Sequence, residues 1–289
     1  NAIYRSAPTP YLSLVEPRLV NRIEIVRGPA SVRHGSDAMG GVIQLHTRRP
    51  EFEGKDWEIQ SLVEGIFNSA DLARGIRAEL EGGNQTIGLR GGFSGLETGN
   101  LEGGGDTGRQ IPSAYSSLGG DFALEWRPTS NRTFSLDVQY AEQPKSPRYD
   151  EMSAGFNQPL PSSSEFYYEP LARLFTRIGL KEENPTRYFD SLDLNIAFQK
   201  IRDDRRTRAY QSDIEVREQN TSELLGITLG AEKDFGIGFQ VHWGVDAYLD
   251  WVSSARQKKN LQTDMSSSAP SRFPNGSRMN TYGAFADIS

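Results

Sequence analysis

Cysteine is absent from the 289 residues. That excludes a disulfide framework, thiolate catalysis and cysteine metal sites. No run of about 18 apolar residues occurs, so no helix is expected to cross a membrane. Excess positive charge is missing too: 32 Lys and Arg stand against 38 Asp and Glu, a net charge of −6, which argues against a nucleic-acid partner. The three histidines, His34, His46 and His242, have no metal-ligand spacing. No G-x-S-x-G elbow is present, and Gly35 to Gly41 lacks the Lys and Ser/Thr that a phosphate loop needs. Nothing here calls for an enzyme, a cofactor or a bound metal.

What remains is strand signal. Mean hydropathy of −0.58 reads as a polar chain, yet a transmembrane β-barrel has a polar lumen and polar loops and keeps that composition. Segments alternating apolar and polar residues run over about 57–67, 73–82, 85–94, 117–127, 132–142, 170–181, 188–201, 219–233, 237–252 and 279–288. In 132–142, Phe134, Leu136, Val138 and Tyr140 face one way, and Thr133, Ser135, Asp137 and Gln139 the other. Such two-faced strands suit an antiparallel sheet. Their length, mostly ten residues or more, suits strands that cross a bilayer at a tilt better than a sandwich. Trp57, Trp126, Tyr140, Tyr188, Phe239 and Trp251 lie near the strand ends, where interfacial girdles belong.

The links between strands alternate. Residues 83–84, 128–131, 182–187 and 234–236 are short, whereas 95–116, 143–169, 202–218 and 253–278 are long; the first link, near 68–72, is short where a long one is expected. Short turns on one end and long loops on the other is the asymmetry of an outer-membrane barrel. The long loops carry Arg148, Tyr149, Tyr167, Tyr168, Arg206, Arg208 and Tyr210, side chains suited to a polar or anionic ligand through charge-assisted bonds and aromatic contact. Ser289 falls within the alternating segment 281–288, so the chain is expected to be a fragment.

Residues 20–48 have a different texture: Val20-Asn21-Arg22-Ile23-Glu24-Ile25-Val26-Arg27-Gly28-Pro29-Ala30-Ser31, then Gly35 and Ala38-Met39-Gly40-Gly41-Val42-Ile43, closing on Thr47-Arg48. This stretch resembles the closing half of the plug domain of TonB-dependent outer-membrane receptors. His34 stands where the family usually has Tyr, and Gln44-Leu45 where it has Asn-Ile. The resemblance implies an all-β fragment of a large antiparallel transmembrane barrel, about ten strands, preceded by the end of an α+β plug. Plug would span 1–49 and barrel 50–289. Arg22, Glu24, Arg27, Gly28, Pro29, Gly35, Gly40 and Gly41 would be structural and coupling parts of the plug, with Arg33 and His34 added to the ligand candidates.

It further implies a bacterial outer-membrane receptor in contact with lipid, binding a small metal chelate such as a ferric siderophore or haem. Uptake would be driven by the TonB energy-coupling complex through a segment this chain lacks. A passive porin and a soluble β-rich binding protein are the rival readings.

Overall fold

The computed structural model describes residues 10–28, 40–155, 157–184, 186–236 and 238–288. Two 3-10 turns, Pro10–Leu14 and Pro17–Leu19, lead into an antiparallel hairpin of β1 (Val20–Arg27) and β2 (Gly41–Thr47). The pairing of Arg27 with Gly41 brings Val26 O to within 2.6 Å of where a Cβ on Gly41 would lie, and Gly41 sits at φ +146°. A side chain there would collide and strain the backbone together.

A second sheet follows as a meander. Its long strands are β3 (Glu58–Asn68), β4 (Ala73–Gly83) and β5 (Ile87–Glu97), then, after the small hairpin β6 (Glu102–Gly103) and β7 (Gly108–Arg109), β8 (Ser116–Thr129) and β9 (Arg132–Gln143). Short β10 (Ser146–Pro147) precedes β11 (Ser163–Glu182), β12 (Ser191–Ala209), β13 (Ile214–Asp234) and β14 (Gln240–Asn260). Short β15 (Ser266–Ala269) and long β16 (Ser277–Ile288) both pair with β14. Each long strand is antiparallel to its neighbour in chain order, and the sheet does not close on itself.

All ten alternating segments are strands. Their parity holds: on β14, Val241, Trp243, Val245, Ala247, Leu249 and Trp251 share one face, opposite His242, Asp246 and Asp250. The apolar residues form a band across the outer face. From Val241 to Trp251 the chain advances roughly 33 Å, which a tilt near 40° reduces to about 25 Å of height. Polar pairs end the band on both sides, with Arg74–Glu97 at 2.8 Å and Lys200–Glu223 at 2.8 Å above, and Arg132–Glu182 and Lys233–Asp190 below. Trp126 stacks on Phe134 at its lower edge, 5.2 Å between centroids.

The long loops need correction. Much of 143–169, 202–218 and 253–278 is strand, because β11 to β14 continue past the band for several residues. The link between β12 and β13 is only 210–213. Above the apolar band both faces of a strand meet water or other polar groups, so the alternation that marks a half-buried strand vanishes while the backbone ladder continues. Tyr167, Tyr168, Arg206 and Arg208 are therefore strand residues, Tyr210 lies in a tight turn, and Tyr149 begins a single helical turn over Tyr149–Met152.

The segment 48–57 leaves β2 and crosses the inner face at the short-turn end. Pro50 is fully buried there and Phe52 nearly so. A Cβ on Gly88 would lie 2.8 Å from Pro50 O, so the bare backbone of β5 makes room for the linker.

Candidate functional site

The inner face beneath the linker is charged, and its charges are paired. Arg77 and Arg90 project inward from β4 and β5 and are wholly buried. Arg77 donates to Glu79 at 2.5 Å and Asp121 at 2.8 Å, and Arg90 to Glu79 at 2.8 Å, Glu81 at 2.9 Å and Asp121 at 3.2 Å. Arg77 Nη2 passes 2.5 Å from the site of a Cβ on Gly92, so that glycine gives the guanidinium its path to Asp121. Burial of such charges is tolerated only when every one is matched.

The linker joins this network from the other side. Arg48 donates to Glu79 at 3.2 Å and Arg49 to Glu125 at 2.9 Å, with Asp137 4.0 Å from the Arg49 guanidinium. Arg177 on β11 holds Asp137 at 2.6 Å and Asn195 at 2.8 Å. The chain leaving the hairpin is thus tied to β4, β8 and, through Asp137, to β9 and β11 by side chains whose carboxylates are buried but whose linker arginines are about 42% and 34% exposed. Such half-wet bonds break far more readily than those inside the wall.

A second attachment lies higher. Leu14 is buried against Tyr168 and Leu171, with Ala141 and Phe166 packed around them. Glu16 accepts from Arg18 N at 3.2 Å and Arg18 Nε at 2.8 Å, and from Ser94 on the wall. Burial works against the Glu16 charge, but the bonds from Arg18 and Ser94 outweigh it and the carboxyl sits below its ordinary value. A carboxylate depressed in the docked state stabilises docking fully above the free value near 4.5, and that contribution fades as pH falls through the lower, docked value. Hydrogen exchange in residues 10–19, corrected for intrinsic rates, should therefore rise in a step below about pH 4.5. Glu16→Gln should abolish the step; a step of the same size in that variant would dismiss Glu16 as its cause.

The ligand candidates separate. Arg148 bonds Asp150 and reaches Tyr168 Oη at 3.3 Å and Glu151 at 3.4 Å, its guanidinium over the Phe166 ring. The hydrogen bond from Arg148 holds the Asp150 carboxyl well below the usual range. Tyr168 is buried on the inner face, while Tyr167, one residue earlier, points outward between Lys145 and Arg206. Arg206 and Arg208 share that outer face and are held by carboxylates: Arg206 by Glu165 at 2.5 Å and Glu169 at 2.8 Å, Arg208 by Glu165 at 2.9 Å. These three stand on the wall's exterior, not toward the lumen. Arg33 and His34, with Pro29 and Gly35 of the motif, lie outside the described residues.

Of the other motif residues, Arg22 pairs with Glu24 at 3.1 Å and Glu24 with His46 at 3.0 Å, so this side-chain row ties β1 to β2. Gly28, at φ +92°, donates its amide to Gly40 O at 3.3 Å. Arg27 is exposed.

Sequence reasoning passed over the residues that line the upper lumen. Arg205, Arg256, Lys258 and Glu218 face inward around a cavity of about 460 Å³, which Arg272 enters from the loop over 270–276. The available signal was the i, i+2 spacing of Arg256 and Lys258, which puts both on one face once the strand is known to extend that far.

Residues 4–42 match the family described as the TonB-dependent Receptor Plug Domain. Over these residues the chain carries the sequence of that plug family. Over 36 residues it is 56% identical to the ferric enterobactin receptor PirA of Pseudomonas aeruginosa, and over 35 residues 57% identical to the hemin receptor of Yersinia pestis; each match covers 12% of this chain and 5% of the relative. The fold superposes on that of the copper transporter OprC with a TM-score of 0.78 at 19% identity, across 98% of this chain and 41% of that one. The chain thus shares a short, closely similar plug segment with the curated relatives and a barrel fold with OprC, and it spans less than half the length of each. The proteins it resembles are outer-membrane receptors, and its apolar band has the height that an outer membrane requires.

Proposed function

We propose that this receptor takes up a scarce metal chelate, a ferric siderophore or haem, across the outer membrane by TonB-energised movement of its plug. The observation that carries this reading is a plug segment seated inside the barrel wall and fastened there by breakable bonds. Arg48 and Arg49 grip buried carboxylates on β4 and β8, and Leu14 and Glu16 fasten the upper turn. A passive porin needs an open lumen, and such an occupant would obstruct it.

On this reading residues 1–49 are plug and 50–289 barrel. Arg22, Glu24, Arg27, Gly28, Pro29, Gly35, Gly40 and Gly41 shape a body that is displaced under load, rather than touching the ligand. The TonB complex is the energy-coupling partner and outer-membrane lipid surrounds the apolar band. No bond in the ligand is made or broken.

Uptake of radiolabelled ferric chelates by cells expressing the complete receptor tests this. Accumulation that stops when TonB is deleted or the proton gradient is collapsed is the expected result. Equal uptake with and without energy, or steady sugar conductance by the purified receptor in a planar bilayer, would restore the porin reading.

A further inference from the structure

The segment that joins the plug hairpin to β3 is built into the barrel. Residues 50–57 grip the short turn between β4 and β5 from three sides. On the inner face Pro50 is fully buried, its oxygen 2.8 Å from the site of a Cβ on Gly88, and the Phe52 ring lies 2.6 Å from that of a Cβ on Gly83. At the tip of the turn Gln85 N donates to Gly54 O at 2.7 Å. On the outer face the Trp57 indole sits 3.3 Å from the site of a Cβ on Gly82. Glycine at these wall positions lets the segment lie directly on bare backbone. The turn itself is stiffened by Asn84, whose side chain accepts from Thr86 N at 2.9 Å and Ile87 N at 3.1 Å.

The plug body ends almost where this segment begins. Its hairpin runs to Thr47, and Arg48 N still donates to Leu19 O at 2.9 Å, so the Arg48 backbone goes with the turn at Pro17–Leu19. Pro50 is already seated in the wall, which leaves Arg49 between the two bodies. The bonds from Arg48 to Glu79 and from Arg49 to Glu125 are the half-wet ones. Breaking them strands no carboxylate: Glu79 keeps Arg77 and Arg90, Glu125 keeps Arg127, and Asp137 keeps Arg177.

We infer that residues 50–57 are a fixed strap on the barrel floor, and that a plug leaving its seat turns about Arg48 and Arg49 while the strap stays. The inference rests on the receptor reading and locates the boundary between its moving and standing parts. A hinge needs only a few residues at the end of an element to absorb the backbone change. Turning at 48–49 breaks exposed ion pairs, which cost little. Dragging the strap out would expose Pro50 and Phe52 and leave the Gly54–Gln85 bond unmade, which costs far more.

The test cross-links the complete receptor in cells, and no cysteine of this chain competes with introduced ones. G54C/Q85C joins the strap to the β4–β5 turn. E16C/S94C joins the upper plug turn to the wall, where Glu16 and Ser94 are hydrogen-bonded. A short bis-methanethiosulfonate bridges each pair and a reductant cleaves it. The readout is energised uptake of radiolabelled ferric tris-catecholate, ferric citrate or haem, whichever the unlinked protein accumulates. The strap-linked form should transport within about twofold of the unlinked rate, and the plug-linked form should lose about tenfold or more until reductant restores it. Hydrogen exchange gives a second reading that needs no ligand. R48A/R49A should speed exchange within 20–47 by about threefold to tenfold and leave 50–57 and 84–88 unchanged.

Loss of uptake in the strap-linked form, restored by reductant, would overturn the inference and leave the receptor reading standing, because the linker would then travel with the plug. Faster exchange in 50–57 of R48A/R49A would overturn it in the same way. Undiminished uptake in both linked forms would overturn it too, since the plug would then not leave the wall. If the unlinked protein takes up none of the probes in an energy-dependent way, the receptor reading falls, and exchange still decides whether 50–57 stands with the barrel.

Discussion

Replacing Glu79 by Gln in the complete receptor should lower barrel stability by about 3–5 kcal/mol, the usual cost of stripping one partner from a buried ion pair. Glu79 serves three arginines: Arg77 at 2.5 Å, Arg90 at 2.8 Å and Arg48 at 3.2 Å. The change keeps the shape but removes the charge. Arg77 is then left with Asp121, and Arg90 with Glu81 and Asp121, all inside a wall from which water is excluded. Unfolding in denaturant, followed by loss of the heat-modifiable folded form on gels, reads the effect. An unchanged midpoint would mean the network is not what holds β4, β5 and β8 in place. A double-mutant cycle with Arg48→Ala adds a second reading. Because Arg48 is half-exposed, its coupling to Glu79 should be small, on the order of 1 kcal/mol or less. Strong bonds inside the wall and weak bonds to the linker would suit the plug movement proposed above.

The second large effect is expected on the other face. Val245 sits near the middle of the outward apolar row of β14, between Trp243 and Ala247, and is 48% exposed. Val245→Arg should destabilise the membrane-embedded receptor by about 2–4 kcal/mol, whereas Ser253→Arg, two positions above Trp251 on the same face, should cost about 0–1 kcal/mol. The measurement is a reversible folding titration into lipid vesicles. Equal costs at the two positions would place the band elsewhere. A large cost at Ser253 and little at Val245 would reverse the assignment of the strand ends.

Much of this architecture was legible residue by residue. Alternation such as Phe134, Leu136, Val138 and Tyr140 against Thr133, Ser135, Asp137 and Gln139 assigned each strand an apolar and a polar face, because in a strand neighbours two apart always share a face. The Arg22 to Thr47 stretch resembled a plug segment, and the family match over 4–42 agrees. The ligand candidates fared differently. Arg206 and Arg208 looked available because they stood in a polar run, yet Glu165, forty-one and forty-three residues away, holds both on the outer face. Arg256 and Lys258 were passed over because their shared-face spacing carries meaning only once β14 is known to extend that far.

The sequence by itself thus determined the strand segments within the apolar band, the face each residue takes, and the plug segment ahead of them, since all of these depend on neighbours within a few positions. Only the tertiary structure decided how far the strands rise above the band and which charges meet. Those partners lie 31 residues apart for Arg48 and Glu79, 40 for Arg177 and Asp137, and 76 for Arg49 and Glu125. Register sets such encounters, and register is a property of the assembled sheet rather than of any one strand.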